Sequence, residues 1–590
     1  YSMTGALNGA NNNTAVGYYA LANVTTADSS VALGTGALGM LTTGSPNIGI
    51  GHNAMNVHTT GANNIAIGAF AMDDTNAGSN SLGSGDNIFI GKDSGGGTWA
   101  DAASSYNVAI GNYTMDAAMD GAGWNTAIGN AALGSITTAD SNVAVGSGAG
   151  DALTTGANNS VLGTSALSTA TTVLNGVFIG KSAGEDIAAS QAIDGIVAIG
   201  WEAFKGSSST TTGAAGTIAI GKEAGKDITT AQRSVIMGYE AGTNITTAND
   251  NTAIGYNAMH GNDSTATTGT GRNTAVGSSA LAAITTGQQN VTIGTSAGST
   301  ITNTSNTVLI GHNAGLAINS SDADGTVAIG SLAGQAITTG IGNTAVGAYA
   351  LDAEDDGHYS TAIGYQALSS QTGTSAEVGN TAIGYQAADH LTTGRWSVFI
   401  GAHAGTAITT GGYNVAIGYG AMRTPTGLTG NTAIGWNALT AMSGSAGGKY
   451  NTAVGYGVGD SATTADSLTL IGASAGAAIT TGNDNTAVGF LALNQVETSG
   501  SNTALGHWAG YHTMGNSNTY IGESAGYSGA SADHGSKNVA VGRHAMYSGD
   551  NINNSVAIGY LSLYHGDANT TSTTVVGYQA GTYATGSYNT

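Results

Sequence analysis

The stretch NNTAVGYYALANVTTADSSVALGTGALGMLTTG, from Asn12 to Gly44, contains one short segment twice. Asn-Thr-Ala-Val-Gly ends at Gly17 and returns in the form Ser-Val-Ala-Leu-Gly, which ends at Gly34. We call this segment the box and its last residue the box glycine. The chain contains 32 boxes, and 19 of the 31 intervals between box glycines are as long as the step from Gly17 to Gly34. Because so sustained a period is typical of a solenoid, we predict a single continuous repeat domain over residues 1–590.

The box has the pattern of a short β-strand. Thr or Val, then Ala, then Ile or Val alternate in character, as the two faces of a strand require. The glycine that follows permits a turn that a Cβ atom would obstruct. Representative structural glycines are Gly17, Gly34, Gly255, Gly347, Gly435, Gly489 and Gly559.

A second short segment, Ile-Thr-Thr-Gly, recurs in many repeats, for example over residues 408–411. We expect it to form a second strand and a second turn, so that one repeat makes one flattened coil. Helix is excluded because Asn, Thr and Gly are weak helix formers and the runs between glycines are short. Stacked in parallel at about 4.7–4.8 Å each, the coils would form an all-β parallel solenoid, or β-roll, roughly 150 Å long.

The central Ala of the box is expected to point outward and to leave a smooth, weakly polar face. Phe89, Phe178, Phe399 and Tyr520 replace this Ala in four copies. Since aromatic side chains on an outer face favour contact with another chain over contact with water, this position supports oligomerisation. The alternative is a monomeric solenoid with scattered exposed aromatic residues.

Composition excludes several classes of partner. The formal net charge is −23 with only 12 Lys and Arg residues, so nucleic acid and anionic membranes are poor partners. No apolar run approaches the length of roughly 18 residues that suggests a transmembrane helix, so no membrane insertion is expected within this segment. The chain has no Cys, which excludes disulfides and thiolate metal sites.

The boxes Asn431–Gly435 and Ser555–Gly559 resemble the head repeats of YadA-type trimeric autotransporter adhesins. The string NTAIGYQAA, from Asn380 to Ala388, is also similar to repeats of bacteriophage tail-fibre shafts. The resemblance covers essentially the whole chain, and it implies a left-handed β-roll in a homotrimeric rod. The unit here is longer than in the adhesins, and we expect the neck, coiled-coil stalk and membrane anchor of such adhesins to lie outside this segment if they exist.

Neither end of the chain has the pattern of a solenoid cap. Asn589-Thr590 reads as the first two residues of a further box. Since exposed solenoid ends need caps, we expect this sequence to be a segment of a longer polypeptide.

One acidic cluster is a candidate metal site. Asp352, Glu354, Asp355 and Asp356 occur within one turn beside His358, and several carboxylate oxygens suit Ca²⁺. A solvated acidic turn is the simpler interpretation, as it is for Asp73, Asp74 and Asp86 in a long insertion. No Ca²⁺-binding loop motif is present, and we predict no cofactor.

Aromatic residues accumulate near the end of the chain. Sugar rings pack against flat apolar faces that carry a polar group, so these residues are candidates for ligand binding. The alternative is tighter packing of the core or of an interface. The candidates are Trp508, Tyr511, Tyr520, Tyr527, Tyr547 and Tyr564.

Long repeats carry their extra residues between the second segment and the next box, so these insertions should project from one edge, where solenoids usually carry variation and binding. The insertions lie within residues 69–87, 201–216, 256–272, 365–380, 436–451 and 523–538.

We expect a structural fibre protein and no enzyme. A shaft that attaches to a host or surface glycan or receptor, as in a phage tail fibre on a virion, fits the repeats and the lack of a catalytic constellation. The alternative is the head of a bacterial surface adhesin, and a tailspike-type glycan hydrolase is a remote one that needs a carboxylate pair. All place the protein outside the cell. An ice-binding solenoid is disfavoured, because adjacent Thr-Thr residues point to opposite faces.

Overall fold

The computed structural model describes residues 3–5, 8–75, 80–189, 191–210, 212–261, 271–373, 377–443, 447–529, 535–566, 570–584 and 586. The chain groups into two compact units, Tyr1–Asn303 and Thr304–Thr590. Both are built from the same coil, and the sequence prediction of one continuous domain stays a prediction.

Each box forms one short strand. The first unit contains β1 Thr14–Val16, β2 Val31–Leu33, β3 Asn47–Ile50, β4 Asn64–Ile67, β5 Ile88–Ile90, β6 Val108–Ile110, β7 Thr126–Ile128, β8 Val143–Val145, β9 Ser160–Leu162, β10 Val177–Ile179, β11 Val197–Ile199, β12 Ile218–Ile220, β13 Val235–Met237, β14 Thr252–Ile254, β15 Thr274–Val276 and β16 Val291–Ile293. The second contains β17 Val308–Ile310, β18 Val327–Ile329, β19 Thr344–Val346, β20 Thr361–Ile363, β21 Thr381–Ile383, β22 Val398–Ile400, β23 Val415–Ile417, β24 Thr432–Ile434, β25 Thr452–Val454, β26 Thr469–Ile471, β27 Thr486–Val488, β28 Thr503–Leu505, β29 Thr519–Ile521, β30 Val539–Val541, β31 Val556–Ile558 and β32 Thr574–Val576.

Within each unit, successive strands pair in parallel and in register. In the second unit, for example, Ala345 of β19 pairs with Ala362 of β20, so equivalent residues of neighbouring coils lie side by side. The helices of the described residues are three single 3₁₀ turns at Ser81–Gly83, Thr212–Ala214 and Ser321–Ala323. The predicted parallel β-solenoid with a 17-residue basic repeat is confirmed.

The box glycines allow the coils to approach each other closely, a role beyond the turn that the sequence predicted. Gly255 has a φ of +133°, which L-residues with a side chain avoid. A Cβ atom built on it would lie 2.5 Å from the carbonyl oxygen of Gly277 in the next coil. Both the backbone conformation and the available space therefore require glycine here.

The expected direction of the central box Ala is wrong. Ala345 and its equivalents in almost every coil are fully buried, whereas the residues before and after it lie on the outer side, with Thr344 and Val346 half-buried. Phe89, Phe178, Phe399 and Tyr520 are likewise fully buried. Alternation places neighbouring residues on opposite faces, but it does not say which face is the interior.

The buried aromatic residues are accommodated by glycine at a second position, four residues after the box glycine. A Cβ atom on Gly184 would lie 2.5 Å from the ring of Phe178, and a Cβ atom on Gly405 would lie 2.3 Å from the ring of Phe399. Where the strand centre is Ala127, Leu133 occupies this second position, with a φ of +49°. A large side chain at one position is thus matched by a small one at the other, as dense packing of the interior requires.

The Ile-Thr-Thr segment forms no strand in the described residues, contrary to the prediction. In the coil that contains Ile136, this side chain is fully buried. The amide of Thr137 donates a hydrogen bond of 3.0 Å to the carbonyl oxygen of Thr154 in the next coil, and its hydroxyl donates one of 3.1 Å to the same oxygen. The segment is therefore a bend that the threonine hydroxyl helps to hold to its neighbour.

The first residue of the box forms a buried polar ladder that the sequence pattern did not reveal. The Asn125 side-chain oxygen accepts hydrogen bonds from the backbone amide and the side-chain amide of Asn142, at 3.0 and 3.2 Å. The Asn142 oxygen in turn accepts from the amide of Asn159 at 3.0 Å. Because a buried polar group without a partner is costly, this ladder penalises any slip of one coil against the next.

We predict that Phe178 and Gly184 are energetically coupled. Phe178→Ala should leave a cavity and cost about 3–5 kcal/mol, and Gly184→Leu alone should overpack the same space and cost about 1–3 kcal/mol. The double variant reproduces the pairing of Ala127 with Leu133. Its loss in free energy of unfolding should be smaller than the sum of the two single losses by about 2 kcal/mol or more.

Native-state hydrogen exchange of the β10 amides measures this local stability, since it reports opening of a segment without unfolding of the whole chain. Additive effects of the two substitutions would contradict the proposed matching of volumes.

Candidate functional site

Four tyrosines near the end of the chain occupy the same position in four successive coils. Tyr511, Tyr527, Tyr547 and Tyr564 each stand five residues after their box glycine, and we call them the tyrosine ladder. Because the strands pair in register, side chains at equivalent positions are brought together although a whole coil separates each from the next along the chain. The structure thus places these four candidate residues side by side, and their role in ligand binding stays a prediction.

The rings of the ladder are stacked. Ring centroids lie 5.4 Å apart for Tyr511 and Tyr527, 4.9 Å for Tyr527 and Tyr547, and 5.0 Å for Tyr547 and Tyr564, with interplanar angles of 25°, 17° and 2°. These distances reflect the coil spacing and describe offset stacks, in which each ring covers only part of the next. All four side chains are half-buried, so the ladder offers partly open ring faces and edges.

Two further aromatic residues flank the ladder from a position two residues after the box glycine. Trp508 is 37% exposed, and its ring lies 6.5 Å from that of Tyr511 and 6.0 Å from that of Tyr527. The imidazole of His544 lies 4.8 Å from the ring of Tyr547. Trp508 and His544 therefore extend the aromatic surface of the ladder.

Two titratable groups of this aromatic surface are uncharged at neutral pH. Burial raises the pKa of Tyr527, so its phenol stays protonated and can donate a hydrogen bond. Burial, followed by the charge of Arg543, lowers the pKa of His544, so this imidazole is neutral. Flat apolar rings with hydroxyl groups can pack against a sugar ring and hydrogen-bond to its hydroxyls.

Tyr520 does not belong to this surface. It occupies the central position of β29 and is fully buried, with its ring against Gly526. Its prediction as a ligand-binding residue is corrected, for the reason already given: the central box residue points inward.

The structure brings together three of the four acidic residues of the candidate metal site. One carboxylate oxygen of each of Glu354, Asp355 and Asp356 lies within 4.8 Å of the others, whereas Asp352 is not part of this group. The arrangement is closer to a turn closed by hydrogen bonds than to an ion cage, as the contacts of Glu354 show.

The carboxylate of Glu354 is fully buried and engaged with the protein. Its Oε1 atom accepts hydrogen bonds from the amides of Gly357 at 2.7 Å, Gly373 at 2.8 Å and Asp355 at 3.1 Å. Its Oε2 atom accepts one of 2.6 Å from the side-chain amide of Gln371. Glu354 thus satisfies the donors of its turn, and Ca²⁺ binding at this cluster stays a prediction.

Stacked pairs of exposed aromatic residues at another coil position escaped the sequence reasoning. They stand one residue after the box glycine: Tyr239 and Tyr256 in the first unit are stacked at 5.6 Å, and Trp436 and Tyr456 in the second unit at 4.6 Å. At the same position in the first unit, Lys222 lies 4.8 Å from the ring of Trp201. Tabulating residues by coil position, rather than by density along the chain, would have revealed these pairs.

Several predicted insertion tips lie outside the described residues, namely 76–79, 211, 262–270, 374–376, 444–446 and 530–534. Their proposed role in binding stays a prediction. In the described part of the chain, no helix is long and apolar enough to cross a membrane.

No family model matches this chain, and no curated protein matches it. The resemblance to adhesin heads and tail-fibre shafts therefore stays a prediction.

The side chains of Asp73 and Asp116 bind protons more strongly in the folded protein than an ordinary carboxyl group does. Burial and neighbouring carboxylates, including Asp93, raise the pKa of both side chains to about 6 from an ordinary value of 3.8. Between these values the folded state binds more protons than the unfolded state, so this contribution to the free energy of unfolding decreases as the pH rises from 3.8 to 6.

We expect Asp73→Asn and Asp116→Asn each to stabilise the protein at pH 7.5 by about 1 kcal/mol. The raised pKa values correspond to at most about 3 kcal/mol, which the partial exposure of both groups reduces. At pH 3.5 the gain should disappear. Urea unfolding at both pH values measures the difference between variant and parent. Buried His58, whose pKa is lowered to about 4 by desolvation, contributes a free energy of unfolding that increases with pH. Because variant and parent both contain His58, this contribution cancels in the difference between them. A variant less stable than the parent at pH 7.5 would contradict the assignment.

Proposed function

We propose that this protein is a structural attachment fibre whose tyrosine ladder binds a surface glycan, as in a phage tail fibre. The observation that carries the proposal is the ladder itself: four offset tyrosine rings at the spacing of the coils, flanked by Trp508 on the outside of a parallel solenoid. A polysaccharide also repeats a sugar ring with an apolar C–H face along its length, so several of its units can contact several coils at once.

The interior of the solenoid supports a binding role over a catalytic one. In the described residues its buried positions are filled mainly by small and large apolar side chains, by Ser and Thr and by the asparagine ladder, and the fully buried titratable residues His58 and Glu354 lie in different units. We therefore propose no enzymatic activity. Release of reducing sugar ends from a bound polysaccharide would instead favour the tailspike-type hydrolase.

We further propose that the fibre is a homotrimer, with the extracellular location that attachment requires. The third residue of the strands is apolar and lies on the outer face, where it is exposed in many coils. These residues support contact between copies of the chain. Ile363 is 37% exposed, Ile383 37% and Leu505 48%. Parallel sheets usually have both faces covered, which favours burial of this row against another chain. The number of copies follows the resemblance to trimeric adhesin heads and tail-fibre shafts.

The same properties suit the head of a bacterial surface adhesin, which differs in where the fibre is anchored. Immunogold labelling of virions and of bacterial cells distinguishes the two locations.

The ladder is tested by the double substitution Tyr527→Ala and Tyr547→Ala. We expect at least a tenfold loss of affinity for the polysaccharide that the parent protein selects from an immobilised panel of bacterial surface polysaccharides, because two ring contacts are removed. Tyr239→Ala with Tyr256→Ala is the matched control, since this exposed pair is also stacked but lies in the other unit. Unchanged affinity with a lower thermal midpoint would mean that the ladder serves packing alone.

The trimer is tested by sedimentation equilibrium. The parent protein should have three times the chain mass of 57.6 kDa. Ile363→Asp with Ile383→Asp should shift the mass toward one chain, because burying two unpaired charges per copy is costly. The control adds the same charges at two exposed turn positions, Ser501→Asp and Ser517→Asp. A parent mass equal to that of a single chain would refute the trimer without affecting the ladder.

A further inference from the structure

A cleft of about 380 Å³ opens on the first unit, far along the sequence from the tyrosine ladder. Its lining comes from the three successive coils that follow Gly17, Gly34 and Gly51, together with Thr4 before them. Its volume lies in the range of small-molecule sites, and it combines aromatic walls with side-chain amides.

The cleft exists because the middle coil lacks two side chains. Gly36 and Gly39 stand two and five residues after their box glycine, the positions that carry Tyr19 and Ala22 in the coil before. In the coil after, these positions carry Asn53 and Asn56, which face the glycines. A Cβ atom on Gly36 would lie 2.2 Å from the side-chain oxygen of Asn53, and one on Gly39 would lie 2.4 Å from that of Asn56. A side chain at either position would therefore displace the asparagine amide that faces it.

One wall consists of two tyrosines with more open rings than those of the ladder. Tyr18 and Tyr19 are 57% and 48% exposed, and their centroids lie 4.3 Å apart at an interplanar angle of 86°. Edge-to-face packing keeps the rings from covering each other as a parallel stack does. An apolar ring face in solvent is what the C–H face of a sugar contacts.

The polar groups of the cleft are neutral. Asn23 donates a hydrogen bond of 3.0 Å from its side-chain amide to the carbonyl oxygen of Gly39, which leaves its own side-chain oxygen available as an acceptor. The amides of Asn53 and Asn56 supply both donors and acceptors. Among the described residues, no charged side chain lines the cleft. Vicinal hydroxyl groups, which donate and accept, match this set, whereas a carboxylate or sulfate would lose its hydration without gaining a cation.

We propose that this cleft binds one residue of a neutral hexose glycan, with the sugar ring against Tyr18 and Tyr19 and its hydroxyls toward Asn53 and Asn56. The site goes beyond the proposed attachment through the ladder and does not depend on it, since the two lie in different units. It assigns a ligand class, neutral saccharides, to a region that carries no long insertion.

The first test displaces the Asn56 amide with Gly39→Ala. Gly39 has no left-handed φ, and its added Cβ would lie 2.4 Å from the side-chain oxygen of the flexible Asn56 and 3.2 Å from the carbonyl oxygen of Gly36, so the fold should tolerate it. Gly134→Ala is the matched control, because Gly134 holds the same coil position and its added Cβ would lie 2.4 Å from the side-chain oxygen of Asp151.

The second test removes the ring with Tyr19→Asn. Tyr19 has a φ of +58°, a conformation that Asn adopts readily. Tyr113→Asn is the control, since Tyr113 has the same coil position, a φ of +60° and 41% exposure. Circular dichroism checks the fold of all four variants.

The probe is an immobilised panel of glucose-, galactose- and mannose-terminated oligosaccharides together with uronic acid- and sialic acid-terminated ones. The strongest neutral oligosaccharide is then titrated by calorimetry. We expect Gly39→Ala and Tyr19→Asn each to weaken its binding at least tenfold and both controls to leave it within twofold.

Binding only to the acidic oligosaccharides, or to none, would overturn the proposal. So would neutral binding that persists in Gly39→Ala and Tyr19→Asn. Loss of that binding in the double ladder variant alone would assign it to the ladder, and would support the proposed function while refuting this site. Loss in the cleft variants alone would support this site even if the ladder binds nothing.

Discussion

The stacking of box glycine on box glycine is the constraint on which the rest of the structure depends. At Gly255 the carbonyl oxygen of the next coil lies only 2.5 Å from the position of a Cβ atom, and φ is +133°. This contact brings the strands into register, and register aligns every other position of the coil with its equivalents. A repeat protein of this kind gains its stability from many such nearest-neighbour contacts and not from one central core.

Register has different consequences inside and outside. Inside, it aligns the asparagines into a ladder and requires that volumes match within each coil, as in Phe178 with Gly184 or Ala127 with Leu133. Outside, register places the tyrosines of four successive coils next to one another, so that their rings stack. The register between coils therefore determines both the stability of the interior and the chemistry of the surface. A substitution affects one or the other according to its position in the coil.

Both candidate binding regions follow from a local change in that surface pattern. The tyrosine ladder arises where four coils in succession carry Tyr at one position. The cleft arises where one coil carries Gly at two positions while its neighbours carry larger side chains. Neither region needs a change in the backbone, because the coil accepts any side chain that its outer positions leave room for. This tolerance explains how a solenoid built from one repeated coil can carry distinct sites.

The sequence by itself determined the repeat, the strand in each box and the need for glycine at its end, because periodicity and steric limits are local properties. The tertiary structure decided which face of the strand is interior, which placed Tyr520 in the core and the Ile and Val residues outside. It also decided that Ile-Thr-Thr forms a bend, and that Gly36 and Gly39 open a cleft, because these depend on contacts between coils that no single repeat contains.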